Sequence, residues 1–445
     1  MSGDRKEILR IAIPAVLEAL FTTMASIIDS KMVSSLGLTA ISAVSVTNQP
    51  RLFALCVFFA INVVVTSFTA RKIGMRDRDD ANRVLISALC VALLLVLILS
   101  MLCVVLAEPI MQICGNQPDT LADSVVYFRI VMGGLVFNVL FMVINASFRG
   151  CGNTRLTLVS NVVSCLVNIT LNYMLIEGNW GAPRMEIAGA AIATVAGTAA
   201  AFLICVLFAC NGKNYVNFLY SIKQRIFPTF SLLKEMFGMW KKIVTENLFT
   251  RVGFLLTSML AANTGSFSMS VYSVGMHLMN INFALGSGLQ SAAVALVGRS
   301  YGSGDKERIR SLSESILRMG AISALVLSAV FVVFGRPYYG FFSGDPEFIR
   351  TGVISCVIIG IVSPIQTLQI IYNGIFQGTG DVQYTMKAAI ISVTVVNTIV
   401  SFVGTVLIPG GIWGIWAGVF LSQLVRMLML KNRYRKRILE GSAVA

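Results

Sequence analysis

Two carboxylates in the first apolar stretch of the chain, Glu18 and Asp29, sit where a charged group must have a reason to be kept. They lie eleven residues apart, which at 3.6 residues per turn returns both to one helix face, with Thr22 and Ser26 near that face between them. In the fifth apolar stretch Asn161, Ser164, Asn168 and Asn172 follow i, i+3, i+7, i+11 spacing, so four oxygen-bearing side chains share another face. Asp29 facing Asn168 and Asn172 gives one negative charge and several neutral oxygens in a dry setting. Such a set suits one monovalent cation or one proton. The structural alternative is that the asparagines hold helices together by hydrogen bonds.

The elements that would position these groups are membrane helices. The chain has 445 residues, 56% of them hydrophobic and 13% charged, with a mean hydropathy of +0.79, against roughly 25% charged in an average soluble protein. Stretches long enough to cross a bilayer, about 20 residues each, fall near 9–34, 43–70, 84–107, 122–148, 156–176, 188–210, 242–263, 267–297, 311–335, 348–377, 383–407 and 412–430. The expected fold is all-α, twelve transmembrane helices in two tandem six-helix bundles around a central cavity. An acid in mid-bilayer costs about 2.5–3.5 kcal/mol on insertion scales, which makes Glu18 and Asp29 functional candidates by default.

The two bundles are copies. Arg71, Gly74 and Asp77 recur as Arg299, Gly302 and Asp305, Asn145 and Gly152 as Asn373 and Gly380, and Gly37 as Gly265, all at one offset of 228 positions. A period this long makes each copy a whole half of the molecule rather than a small stacked repeat. Six spans per copy return the second in the orientation of the first, as in transporters built from parallel repeats. The expected divisions are 1–210 for the first bundle, 211–241 for a linker in which Pro228 interrupts a short surface helix, 242–430 for the second bundle, and 431–445 for a basic tail. The offset carries Glu18 to Glu246 and Asp29 to Thr257, so the deep acid survives in one copy only. Ala389, Ser392, Val396 and Val400 replace the polar row of the fifth span, so this row is expected to be largely missing from the second copy.

Charge sets the orientation. Loops on one side carry Arg71, Lys72, Arg76, Arg78 and Arg83, then Lys213, Lys223, Arg225 and Lys234, then Arg299, Lys306, Arg308 and Arg310, and the tail adds five more cations from Lys431 to Arg437. Loops on the other side, 108–123 and 177–186, are acidic or nearly neutral. This places both termini in the cytoplasm of a multi-pass protein of the plasma or inner membrane. The net charge of +14 is mostly this bias, which excludes nucleic acid as a partner. The apolar run after the polar N-terminus is too long for a signal-peptide core and is read as a retained helix. Nine scattered cysteines form neither a disulfide framework nor a metal site.

Weaker candidates line the expected cavity. Asn138 and Asn145 are the repeat mates of Gln366 and Asn373, so both copies can present amides to it. Arg129 and Arg251 sit in or near spans and are open to pairing with buried acids, Arg251 with one in its own half, or to snorkelling. His277, the single histidine, reads as a core residue. Twenty methionines and 27 phenylalanines suit adaptable apolar ligands, although most must be ordinary packing. A membrane-embedded enzyme would need a metal cluster, an acid dyad or a nucleophile with its base, and the chain offers none of these patterns.

The first span, with IPAVLEAL and SIIDSKMVSSLG, the loops ARKIGMRD and GRSYGSGD, the turns FRGCGNT and FQGTGD, and NITLNYMLI followed by IAGAAIAT together resemble the multidrug and toxic compound extrusion (MATE) family. The resemblance covers essentially the whole chain and is specific as a combination. It implies export of amphipathic or cationic organic compounds in exchange for Na+ or H+, with no cofactor, by a protein acting as a monomer in the bilayer. The family's acidic position in the first span falls on Asp29, its polar pair in the fifth on Asn168 and Asn172, its hydroxyl in the sixth on Thr194 and its acid in the seventh on Glu246. Some members have Asp where this chain has Asn172, and some where it has Gln366. Without a second carboxylate, a proton shared by repulsion between two acids is disfavoured. One Na+ at Asp29 is preferred, while a lone desolvated Asp29 keeps the ability to take up a proton. The expected substrate residues are Glu18, Glu246, Thr257, Asn138, Gln366 and Asn373. A flippase for lipid-linked oligosaccharides is the alternative, and it calls for a basic cavity to receive pyrophosphate.

Overall fold

A computed structural model describes residues 2–114, 118–212, 214–407 and 411–440. Lys213 and the last five residues of the basic tail, to which expectations were attached, lie outside the described residues. Twelve spans follow in chain order: α1 Ser2–Ser34, α2 Leu38–Gly74, α3 Arg78–Val105, α4 Pro118–Gly133 continuing as Leu135–Gly150, α5 Thr154–Glu177, α6 Glu186–Cys210, α7 Phe230–Asn263, α8 Ser266–Gly302, α9 Lys306–Val333, α10 Pro346–Thr379, α11 Val382–Val406 and α12 Ile412–Tyr434. No strand occurs among the described residues. Ten of these helices are long and apolar enough to cross a membrane without qualification, and the two parts of α4 pass the same test together. α7, with 34 residues, is long enough but carries Glu246, Asn247 and Arg251 within its apolar part.

The repeat is written into the helix ends. α2 and α8 begin and end at the 228 offset, and so do α3 and α9. α2 and α8 start after Gly37 and Gly265, whose φ angles of 103° and 106° lie in the region that only glycine enters without strain. α3 and α9 start on Asp77 and Asp305, whose carboxylates accept from the backbone N–H of Asp80 at 2.8 Å and of Arg308 at 2.9 Å. An N-cap of this kind is worth about 1 kcal/mol. The duplicated loop motif is therefore a helix stop followed by a helix start.

The copies differ in two elements. α4 bends by 43° after Gly133, where α10 runs unbroken. Gly133 and Gly134 stand at the bend, and a Cβ on Gly134 would lie 2.4 Å from the Val195 side chain of α6. Ile361 and Val362 hold the equivalent positions, and α10 runs on through Pro364 without a break. The second difference is in α11, which contains π-helical turns at Ile390–Val396 and Val403–Leu407, while α5 is α-helical throughout.

The chain forms two compact units, Leu17–Trp240 and Met1–Val16 with Lys241–Ala445. α1 and α7 each contribute to both. In the second unit Ile8, Ile11 and Ala12 of α1 are buried in a core with Leu289, Leu296, Ile371 and Phe376, while Trp416 centres another with Tyr272, Tyr339 and Ile359. In the first unit Val33, Tyr127, Ile176 and Ile187 pack together. Residues 214–223 dock on the start of α3, where Asn82 accepts from the Asn217 backbone at 2.7 Å and the Arg78 guanidinium lies 4.2 Å from the Tyr220 ring centre. The linker helix is only Phe218–Lys223, and Pro228 lies between it and α7 rather than interrupting a helix.

Candidate functional site

Asp29, three of its expected partners and the elements that carry them all belong to the unit Leu17–Trp240. α5 and α6 run in close contact, since a Cβ on Gly197 would lie 2.8 Å from the Ser164 carbonyl oxygen. That approach sets Thr194 beside Asn168, whose amide donates to the Thr194 hydroxyl at 3.4 Å. Asn172, fully buried, donates to Asp29 Oδ1 at 2.5 Å and to Asn168 Oδ1 at 3.4 Å. With both N–H groups so directed, its own carbonyl oxygen is buried without a hydrogen-bond partner among the described residues. The structure thus brings Asp29, Asn172, Asn168 and Thr194 into one chain of contacts. Arg51 of α2 acts by its charge on both Asp29 and Tyr127, and Tyr127 lies within hydrogen-bonding reach of Thr194.

Glu18, about three turns before Asp29 on α1, differs from it because its charge is already matched. Arg149 pairs with its Oε1, Asn161 donates to the same oxygen at 2.9 Å, and Thr157 donates to Oε2 at 2.9 Å. Glu246 in the other unit has the same kind of surroundings. Arg426 donates to its Oε1 at 2.6 Å, Asn373 to the same oxygen at 3.1 Å, and Thr385 to Oε2 at 3.0 Å. Thr157 and Thr385 are repeat mates, as are the two acids. The arginines are not: Arg149 is on α4 at the position of Gln377, and Arg426 is on α12 at the position of Thr198.

Thr257, the repeat mate of Asp29, is buried and accepts from the Asn397 amide at 2.7 Å. The expectation that the polar row is largely missing from the second copy is corrected here. A π-helical turn is wider than an α-turn and absorbs an extra residue, so after Ile390–Val396 the fixed offset no longer names the matching position. Asn397, one place beyond the Val396 that the offset gives for Asn168, reaches Thr257 of α7, so an asparagine of the fifth helix meets the Asp29 position in this copy too. Ser392, Asn397 and Ser401 are all buried along α11. The contact is kept and the charge is lost.

Gln366 of α10 accepts from Asn282 of α8 at 2.6 Å, and Thr367 donates to Asn282 at 3.1 Å. Asn138 is half-buried on α4. Arg129, Arg251 and His277 are exposed, and the cation that meets Glu246 is Arg426 rather than Arg251. No group of three or more His, Cys, Asp or Glu side chains is placed to hold a metal among the described residues.

With the geometry of both copies in view, the family assignment rests on one match in each of them. The signature of the MatE family fits residues 14–174 and again residues 243–403. The chain belongs to the MATE family. MATE proteins are transporters. It is 25% identical to the probable multidrug resistance protein NorM of Thermotoga maritima over 97% of this chain and 94% of that one. It is 23% identical to the multidrug resistance protein MdtK of Yersinia pseudotuberculosis over 85% of this chain and 82% of that one. Its fold matches the outward-facing conformation of a multidrug resistance MATE family transporter of the MOP superfamily, with a TM-score of 0.90 at 19% identity, covering 99% of this chain and 97% of that one.

Against this MATE framework, four of the polar residues that the sequence reading did not single out show what signal was available. Arg51 stood inside the second apolar span, where a lone cation is itself a signal. Arg149 and Arg426 lie near span ends, where snorkelling accounts for an arginine equally well. Asn397 had no signal, because the repeat offset pointed one residue away from it.

Proposed function

We propose that this MATE protein is a secondary antiporter that exports amphipathic or cationic organic compounds in exchange for Na+ or a proton, by alternating access between two lobes around a central cavity. The family, and the multidrug names of NorM and MdtK, support the export of drugs. The coupling site is Asp29 with Asn172, Asn168 and Thr194. The observation that carries it is the buried, unpartnered Asn172 carbonyl oxygen beside a carboxylate. Leaving such an acceptor unmet costs about 1–3 kcal/mol. A Na+ ion would meet it and cancel the Asp29 charge with oxygen donors alone, which favours Na+ over a proton.

Binding of the ion neutralises α1 and alters its contact with α5. To drive export it must bind the inward and outward states unequally, since equal affinity shifts nothing. Asn138, Gln366, Asn373, Thr257, Glu18 and Glu246 form the substrate-facing set. Within it Glu18 and Glu246 meet a cationic drug by exchange for their arginine partners. The flippase reading requires basic groups free to hold pyrophosphate, and Arg149 and Arg426 are both matched by acids of their own unit. Both termini are read as cytoplasmic.

The test is drug flux in proteoliposomes at fixed pH with Na+ replaced by choline. Loss of gradient-driven flux on replacement supports Na+ coupling. Undiminished flux under an imposed pH gradient in Na+-free medium makes Asp29 a proton carrier.

A further inference from the structure

A groove in the unit Leu17–Trp240 lies away from the polar clusters, with a volume of about 430 Å³. Ile61 and Val64 of α2, Ser87 and Val91 of α3, and Phe230 and Phe237 of α7 form its walls. The volume is that of a small-ligand pocket, typically about 300–1,000 Å³. Three observations say what fits it. The Val91 side continues into Leu94, Leu97 and Ile98 of α3, all exposed apolar residues on a membrane helix, so an occupant enters from the acyl-chain region. Ala88, Leu95, Leu233 and Met236 complete the lining, so whatever meets the walls is apolar. Lys234 stands at the rim, exposed and in no ion pair among the described residues.

The α7 residues that close the groove have the pattern of an interfacial helix. Phe230, Lys234, Phe237 and Lys241 follow i, i+4, i+7, i+11 spacing, and three of them flank or line the groove. Aromatic rings alternating with lysines on one face seat a helix at the headgroup level and attract anionic lipid. Trp240, also in the wall, is fixed by its indole N–H to the Val57 carbonyl oxygen at 3.1 Å. The chain leaves this unit between Trp240 and Lys241. A molecule in the groove therefore holds the last turns of one unit against its body.

We propose that this groove binds one anionic phospholipid, an acyl chain between α2, α3 and α7 and the phosphate at Lys234.

The full-length protein, exchanged into equal parts phosphatidylglycerol and phosphatidylcholine, is examined by native mass spectrometry. The wild type is expected to keep one phosphatidylglycerol with a preference of roughly fivefold over phosphatidylcholine. Lys234→Gln, at an exposed position, should remove the preference while lipid is still retained. Val91→Phe, at the mouth, should lower retention roughly tenfold. Location is read by tryptophan fluorescence with dibrominated lipids, taking Trp240→Phe as the blank. Brominated phosphatidylglycerol should quench Trp240 more than the phosphatidylcholine analogue, and Val91→Phe should abolish the difference. A wild type without headgroup preference, retention unchanged in Val91→Phe, or equal quenching by the two lipids overturns the proposal.

Discussion

Glu18 and Glu246 are the same residue of a duplicated sequence, each met by a threonine that is also the same residue, yet their arginines come from different helices. Each copy neutralises this carboxylate with an arginine and a threonine, but from different helices for the arginine, so a counter-charge is present in both without a fixed source. Removing one member of a buried pair strands the other and costs about 3–5 kcal/mol. Arg426→Met is therefore expected to lower thermal stability in detergent sharply. Glu246→Gln does so too, while Glu246→Gln with Arg426→Met recovers most of the loss. If the double variant is no more stable than Arg426→Met alone, Glu246 and Arg426 are not an energetic pair. The acids themselves were legible because charge in an apolar span is conspicuous. Their partners were not, since an arginine near a span end reads equally as snorkelling.

At the scale of single helices, the spans and their number followed from hydropathy and from the repeat. The differences lie where backbone geometry departs from the α-helix without a strong mark in the sequence. A glycine pair in α4 is a recognisable weak point, although glycine alone does not say whether a helix bends or packs closely. The first π-turn of α11 carries no such mark, being written in ordinary β-branched residues, ISVTVV, and it moved Asn397 into the place of an expected valine. The Asn397 contact gives a direct check. Thr257→Val keeps the shape and removes the acceptor of the Asn397 amide, which costs about 1–3 kcal/mol. Unfolding in detergent should show that loss. Thr257→Ser should be close to wild type, and equal stability of all three would mean that the amide is satisfied elsewhere.

The whole molecule is where the sequence reading and the structure draw the line differently. The copies meet in sequence at the linker, while the compact units divide within α1, after Val16, and within α7, after Trp240. The first turns of each copy's leading helix are thus continuous with the other unit, which periodicity has no means to reveal. If alternating access moves one lobe against the other, α1 and α7 are the helices through which it passes. A disulfide engineered between α1 and α7 near one membrane face should stop turnover and release it on reduction. Full drug flux with the cross-link in place would remove rocking from the account.

The central claim is that one carboxylate couples ion to drug, because the second copy keeps the helix contact and lacks the charge. The measurement that tests it is gradient-driven drug efflux by Asp29→Asn in proteoliposomes, alongside wild type at matched protein and matched thermal stability. The account predicts that efflux no longer responds to an imposed ion gradient while the protein inserts normally. Ion-coupled efflux equal to wild type would contradict it.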